Sequence, residues 1–297
     1  MLNTAKEIIK VCEEKNIHIY DIVIDNEARM SGKTESEVRA TIDEIMEVME
    51  QSANEYLEKA GKTQFEMIDG FAKKCHEYAS SSFDDAKKAP IVGSFLMESM
   101  AMAFSTSEVN SQMGKIVASP TAGSAGIMPA VCVAAKKQYG LDERTVQNGV
   151  LTAIGIGQII AKYATFAGAE GGCQAECGSA SAMAAAALVE MRGGTAAQCL
   201  HAASITLINV MGLVCDPVAG LVQFPCAFRN ASGVMNSMMA SDLAMAGVES
   251  IVPFDEVVIS MGEVGRSLDK DLRETGLGGI AASRTGRCIR KEFLGEN

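Results

Sequence analysis

Three of the chain's nine cysteines stand where a thiol can do more than pack. Cys173 lies in GAEGGCQAECG, Cys215 opens CDPVAG and Cys226 closes QFPC. Glycine and proline beside a thiol let the backbone bend around an inorganic centre and leave amides free to bond to sulfur. Cys12, Cys75, Cys132, Cys177 and Cys199 fall instead on helical stretches, where a buried thiol behaves as a small hydrophobe. There is no C-x-x-C pair, which disfavours a zinc ribbon or finger. Spacing alone leaves an iron–sulfur site and plain packing both open, because cluster thiolates usually come in tighter runs.

A second candidate is SPTAGSAG at 119–126, just before a helix expected from Ile127. Hydroxyls and amides there form a donor-rich nest able to hold a carboxylate or phosphate at the positive end of a helix. An ordinary helix start capped by Ser124 explains the same residues. The GK[ST] of a phosphate-binding loop is absent, so a nucleotide is not indicated. Isolated charges form the third clue. Glu170 and Glu176 flank Cys173, Asp216 follows Cys215, Arg229 and Asn230 follow Cys226, and Lys115 precedes the Ser/Thr loop. Charges entering an apolar neighbourhood need a partner or a ligand. A structural arginine–carboxylate pair and a functional site are equally good readings of them. His201 reads as a core histidine, and nothing nominates His18 or His76.

The elements that must position these residues read as helices. Hydrophobic residues make up 48% of the 297 positions, aromatics 5%, and tryptophan is absent. Alanine, methionine and aliphatic residues supply the bulk, which suits close-packed helices better than a β-sandwich. A helix is expected over 4–16, and a second starts with the Thr34/Glu37 capping box and runs to about Lys62. A lysine-rich stretch, 64–90, reads as a hinge. Beyond it, helices are expected near 127–139, 142–165, 174–192, 195–211, 230–247 and 263–274, with Val257–Ser260 strand-like. These helices are apolar nearly all round and so must bury one another. The expected class is all-α: a buried Ala/Gly-rich helical domain with Gly-rich functional loops. Residues 1–88 form an N-terminal helical section packed on a catalytic section, 89–297, possible as a single domain.

Formal charge is −11, from 37 acidic against 26 basic residues. So negative a surface repels nucleic acid and anionic membranes, and neither is an expected partner. The uncharged run 193–215 is long enough to span a bilayer, but its Gln198, His201, Ser204, Thr206 and Asn209 make it a core helix. An odd number of cysteines and no export signal point to reduced thiols and a cytoplasmic location.

Together, EVNSQMGKIVASPTAGSAGIMPA (108–130), GAEGGCQAECGSASAMAAAALVEMRGGT (168–195), GLVCDPVAGLVQFPCAFRNASG (212–233) and the later TGLGGIAASRTGR resemble the α chain of iron–sulfur-dependent L-serine dehydratases. The likeness runs from roughly 90 to 285. It implies a [4Fe–4S] cluster, with no pyridoxal phosphate, held by Cys173, Cys215 and Cys226, the three that their loops single out. It implies β-elimination of water from L-serine to give pyruvate and ammonia, with an open iron acting as Lewis acid on the 3-hydroxyl. It further implies a separate β chain of regulatory type, and assembly as an oligomer. On this reading the substrate carboxylate rests on Ser119, Thr121, Ser124 and the amides of Gly123 and Ala125. Lys115 or Arg229 gives a second anion contact, and Lys115, Glu170 or a partner residue is the α-proton base. L-cysteine desulfidation, threonine dehydration or a non-catalytic iron–sulfur binding subunit would use the same scaffold. Some single-chain relatives cap the fourth iron with a cysteine at the very C-terminus, whereas the last cysteine here is Cys288.

Overall fold

Capping chemistry sets where many of the helices begin. Thr4 with Glu7, Thr34 with Glu37 and Thr195 with Gln198 form reciprocal capping boxes, and Asp142 accepts from the Thr145 amide. Each satisfies backbone donors that a helix start leaves open. The computed structural model describes residues 4–295. Its helices are α1 (Ala5–Lys15), α2 (Ile19–Ser31), α3 (Glu35–Asn54), α4 (Phe71–Ser80), α5 (Gly93–Ser111), α6 (Ile127–Tyr139) and α7 (Glu143–Tyr163). After them come α8 (Gly168–Gly171), α9 (Ser179–Met191), α10 (Ala196–Asn209), α11 (Cys226–Met245), α12 (Phe254–Ser267) and α13 (Arg284–Leu294). Among the described residues no strand forms, and an isolated parallel bridge joins Cys215 to Arg273. The fold is all-α.

The alanine-rich helix α9 is the central post. Every residue from Ser179 to Met191 is buried, and α6, α7, α10 and α11 surround it. Its small side chains admit neighbours at close range, and the neighbours answer in kind. A Cβ on Gly233 of α11 would lie 2.5 Å from Ile127 and 2.6 Å from the Ser181 hydroxyl. Around this post Leu151, Ile156, Ile160 and Leu207 are almost wholly buried. Each contributes about 1.5–3 kcal/mol of burial free energy.

The N-terminal helices belong to the same buried cluster, which runs from Ala5 to Met261. α1 lies on α10, α2 on α7, and α3 on α5 and α6. Helix α3 ends at Asn54 instead of continuing to 62, because the chain leaves it to bond to α5. The Tyr56 amide donates to Ser105 Oγ at 2.9 Å, and the Gly61, Gly70 and Ala72 amides all donate to the buried carboxylate of Glu108. The stretch read as a hinge therefore contains α4 and is fixed by α5. The strand-like Val257–Ser260 is helical, with Val257, Val258 and Met261 on the buried face of α12. Among the described residues no helix is long and apolar enough to cross a membrane.

Candidate functional site

Gly172 shapes the first wall. Its φ of +75° is a left-handed turn that glycine enters freely. A Cβ there would meet the Leu213 carbonyl and the Leu268 side chain, each at 2.7 Å. This turn delivers Cys173, and the chain then makes one π-helical turn, Gln174–Gly178, before α9. Such turns recur at functional sites because the wider turn re-aims side chains. Gln174 is fully buried and ties the wall together. Its Nε2 donates to the Gly171 and Met261 carbonyls, and its Oε1 accepts from the Gly212 amide at 2.8 Å.

The second wall carries Cys215. Its amide donates to the Leu272 carbonyl at 2.8 Å, and its carbonyl accepts from the Glu274 amide at 2.7 Å. Next to it, the buried carboxylate of Asp216 pairs with Arg229 and accepts from the Ile280 amide at 2.7 Å. Arg229 lies one turn into α11, the helix that opens with Cys226. One carboxylate thus fixes both the Arg229 guanidinium and the TGLGG turn beside the pocket.

The Ser/Thr loop closes over these walls. Thr121 Oγ1 donates to Glu176 Oε1 at 2.9 Å and lies 3.1 Å from Ser124 Oγ. Asn230 Nδ2 donates to the carbonyls of Gly123 and Cys226, and its Oδ1 accepts from the Gly126 amide. Ser124 does not cap α6; it closes a small box with Thr121, and Gly126 precedes the helix. Ser119, Gly123 and Ser124 are buried, and Ser119 is the residue before a cis proline.

Glu176 is the hub. Besides Thr121 it accepts from the Cys215 thiol at 3.4 Å, and a Cβ on Gly168 would stand 2.5 Å from its Oε2. Burial, more than any neighbour, holds its carboxyl above the usual range. The thiols feel one another. Burial, then Glu176 and the other thiols, pushes Cys215 up, while burial, Cys173 and Glu176 push Cys226 up to about 12. Cys173 moves the other way, because Cys177 donates to it and Arg229 faces it. Buried thiols and carboxylates crowd together here, with the Arg229 guanidinium to offset them. A bound cationic centre would relieve that repulsion and favour the thiolates. Soft sulfur donors in this number suit iron and sulfide. Among the described residues the buried Nη1 of Arg229 has no hydrogen-bond partner, leaving a donor open to an anion. The residues fit a three-thiolate cluster. Beside Cys177, Ser181, Asn209, Gly212 and Arg229 a cavity of about 340 Å³ opens.

The structure thus gathers Cys173, Cys215, Cys226, Thr121, Gly123, Ser124 and Arg229. Lys115 and Glu170 stand exposed, outside this hydrogen-bonded set. His201 Nδ1 accepts from the Ser250 amide, His18 pairs with Glu190, and His76 pairs with Glu98, all elsewhere. Sequence reasoning passed over Gln174 and Glu274. Their signal is pairing across long chain separations, which a linear pattern does not carry.

Residues 14–281 match the family described as the serine dehydratase alpha chain. The L-serine dehydratase, alpha chain, of Peptoniphilus asaccharolyticus is 65% identical over 296 residues, covering 100% of this chain and 99% of that one. A probable L-serine dehydratase, alpha chain, of Bacillus subtilis (strain 168) is 42% identical over 295 residues, 99% of this chain and 96% of that one. The L-serine dehydratase of Mycobacterium tuberculosis is 34% identical over 289 residues, which is 94% of this chain but 60% of that protein.

Proposed function

The chain belongs to the serine dehydratase alpha chain family, and from that premise we propose that it is the α subunit of an iron–sulfur L-serine dehydratase, a lyase releasing pyruvate and ammonia. The observation that carries the cluster reading is the convergence of Cys173, Cys215 and Cys226 from three separate turns into one buried neighbourhood. These three would hold a [4Fe–4S] cluster. When bound, the cluster supplies a Lewis acid for the substrate's 3-hydroxyl, since three thiolates leave one iron with an open position.

The chain's own residues do the rest. Arg229, oriented by Asp216, presents a buried free N–H to the substrate carboxylate. The Ser119–Ser124 loop surrounds the same anion with hydroxyls and the amides of Gly123 and Ala125. Thr121 is held for this by Glu176 and Ser124. Burial of the three thiols and of Ser124 lowers the local dielectric, which strengthens each of these contacts. The α-proton must leave to a base within hydrogen-bond reach. Lys115 and Glu170 are exposed in the isolated chain, so either serves only once another chain covers it, and a residue of that chain is the third candidate. Loss of the proton and hydroxide gives aminoacrylate, whose imine form hydrolyses to pyruvate and ammonia.

A β chain is the proposed partner. The alpha chains of P. asaccharolyticus and B. subtilis are matched over 99% and 96% of their length, whereas the M. tuberculosis protein is longer than the matched part. The test is anaerobic reconstitution with iron and sulfide, with and without a candidate β chain, followed by assay of pyruvate from L-serine and L-cysteine and of 2-oxobutyrate from L-threonine. Cys173→Ser, Cys215→Ser and Cys226→Ser should each lose cluster and turnover, and Cys177→Ala should keep both. Wild-type protein that takes up no sulfide would sink the cluster. Equal damage from Cys177→Ala would sink the ligand set.

A further inference from the structure

Glu274 occupies the rim of the thiol pocket in a backbone conformation that its residue type resists. Its φ is +62°, in the left-handed region where a Cβ crowds the following carbonyl. The surrounding turn leaves it no choice. The Glu274 amide donates to the Cys215 carbonyl at 2.7 Å, Cys215 and Arg273 form a bridge, and the Ile280 amide is anchored on Asp216. From that position a Glu274 carboxylate oxygen, a Glu176 carboxylate oxygen and Cys215 Sγ all lie within 4.8 Å of one another.

Three electron-pair donors at that range repel one another when ionised, and a cation is what reverses the sign. The two carboxylates are not equivalent. Glu176 is buried, bonded through both oxygens to Thr121 and Cys215, and wedged beneath Gly168. Glu274 is exposed, and among the described residues no hydrogen bond or ion pair holds its carboxylate. One is fixed; the other is free to swing.

We infer that Glu274 is a displaceable ligand, a carboxylate that fills the open iron position of a cluster held by Cys173, Cys215 and Cys226 and gives way to substrate. The inference rests on the cluster reading above. A carboxylate is a harder, weaker partner for iron than a thiolate, so an incoming hydroxyl and carboxylate can exchange with it. The strained backbone keeps the ligand at hand without burying it.

The experiment uses the full chain, reconstituted anaerobically, as wild type, Glu274→Gln and Glu274→Gly. Iron and sulfide content, the Mössbauer spectrum of the substrate-free sample, and the rate of iron loss to a ferrous chelator are the readouts. Both variants should load iron as wild type does, lose the first iron several-fold faster, and show an altered signal from one iron of the four. Glu274→Gly adds a contrast in sign. Relief of the left-handed strain should raise the melting temperature of the cluster-free chain while the cluster becomes more labile. A merely structural role would move both the same way. Iron loss at the wild-type rate in both variants overturns the inference. So does a folded Glu274→Gln that loads no iron, since that would make Glu274 part of the cage. Wild type that takes up no iron and sulfide overturns the cluster reading itself, and is thereby distinguished from a failure of Glu274 alone.

Discussion

Adding one methyl group to Gly168 tests whether the pocket is as rigid as its contacts make it. Gly168 opens α8 with ordinary helical backbone, so propensity alone would favour alanine there by up to about 1 kcal/mol. Space argues the opposite. The new Cβ would lie 2.5 Å from Glu176 Oε2 and 3.0 Å from Cys215 Sγ, against the 3.4 Å at which ordinary contact begins. The carboxylate must therefore retreat by about 0.9 Å, the difference between 3.4 and 2.5 Å. It has no slack, because Thr121 holds its other oxygen at 2.9 Å and the Gly123 backbone lies behind it. Overpacking of this kind costs about 1–3 kcal/mol, so the cluster-free chain should lose roughly 0–2 kcal/mol net of the propensity gain. In a chain of this size that is a fall in Tm of up to about 4 °C. The sharper effect is local: moving Glu176 drags the Thr121 loop and the Cys215 thiol, and iron uptake should fall. Thermal melts of the cluster-free chain, together with iron per chain after anaerobic loading, read both effects. Gly157→Ala on α7 is the control, since its Cβ would meet the flexible end of Met183 at 3.3 Å and the Phe166 ring at an ordinary 3.9 Å. A Gly168→Ala chain that melts at or above wild type and loads full iron would refute the rigid hub.

Glu108→Gln should destabilise the chain by about 1–3 kcal/mol in urea denaturation, because an amide nitrogen would face one of the Gly61, Gly70 and Ala72 amides that the carboxylate now accepts from. Thr121→Ala should raise KM for L-serine more than it lowers iron content, since it frees the loop from Glu176 and leaves the three thiols in place. The Cys132 thiol is pushed from 9.0 up to about 12 by burial alone. Between those values the unfolded chain has released a proton that the folded one keeps, so stability is unaffected below about pH 9 and declines as pH rises toward 12. Denaturation midpoints at several alkaline pH values should show a shallower decline in Cys132→Ala, by about 1.4 kcal/mol per pH unit.

What could be read in the chain, and what could not, follows from the range over which each signal acts. The three loop thiols were legible because their flanking glycines and prolines are sequence neighbours, and the capping boxes at Thr34 and elsewhere because they span three residues. Helix α5 left no trace of the same kind. Ala101 to Val109 are buried on every side, so no polar face marks the helical period. In α12, the β-branched run Val257-Val258-Ile259 suggested a strand, and packing against α10 and α7 overrode that local preference. The pocket's second layer is less legible still. Thr121 meets Glu176 across 55 residues, and Cys215 meets Glu274 only because the TGLGG turn is pinned on Asp216. In its own segment Glu274 reads as a solvated acid, and Glu176 as a charge in need of a partner that its neighbours in sequence do not name. Their chemistry is created by the fold: the α9 post brings the π-turn to the Ser/Thr loop, and the Cys215 bridge brings a strained glutamate to the same sulfur. A substitution that loosens either junction should therefore disturb iron binding before it disturbs the helices that carry the ligands.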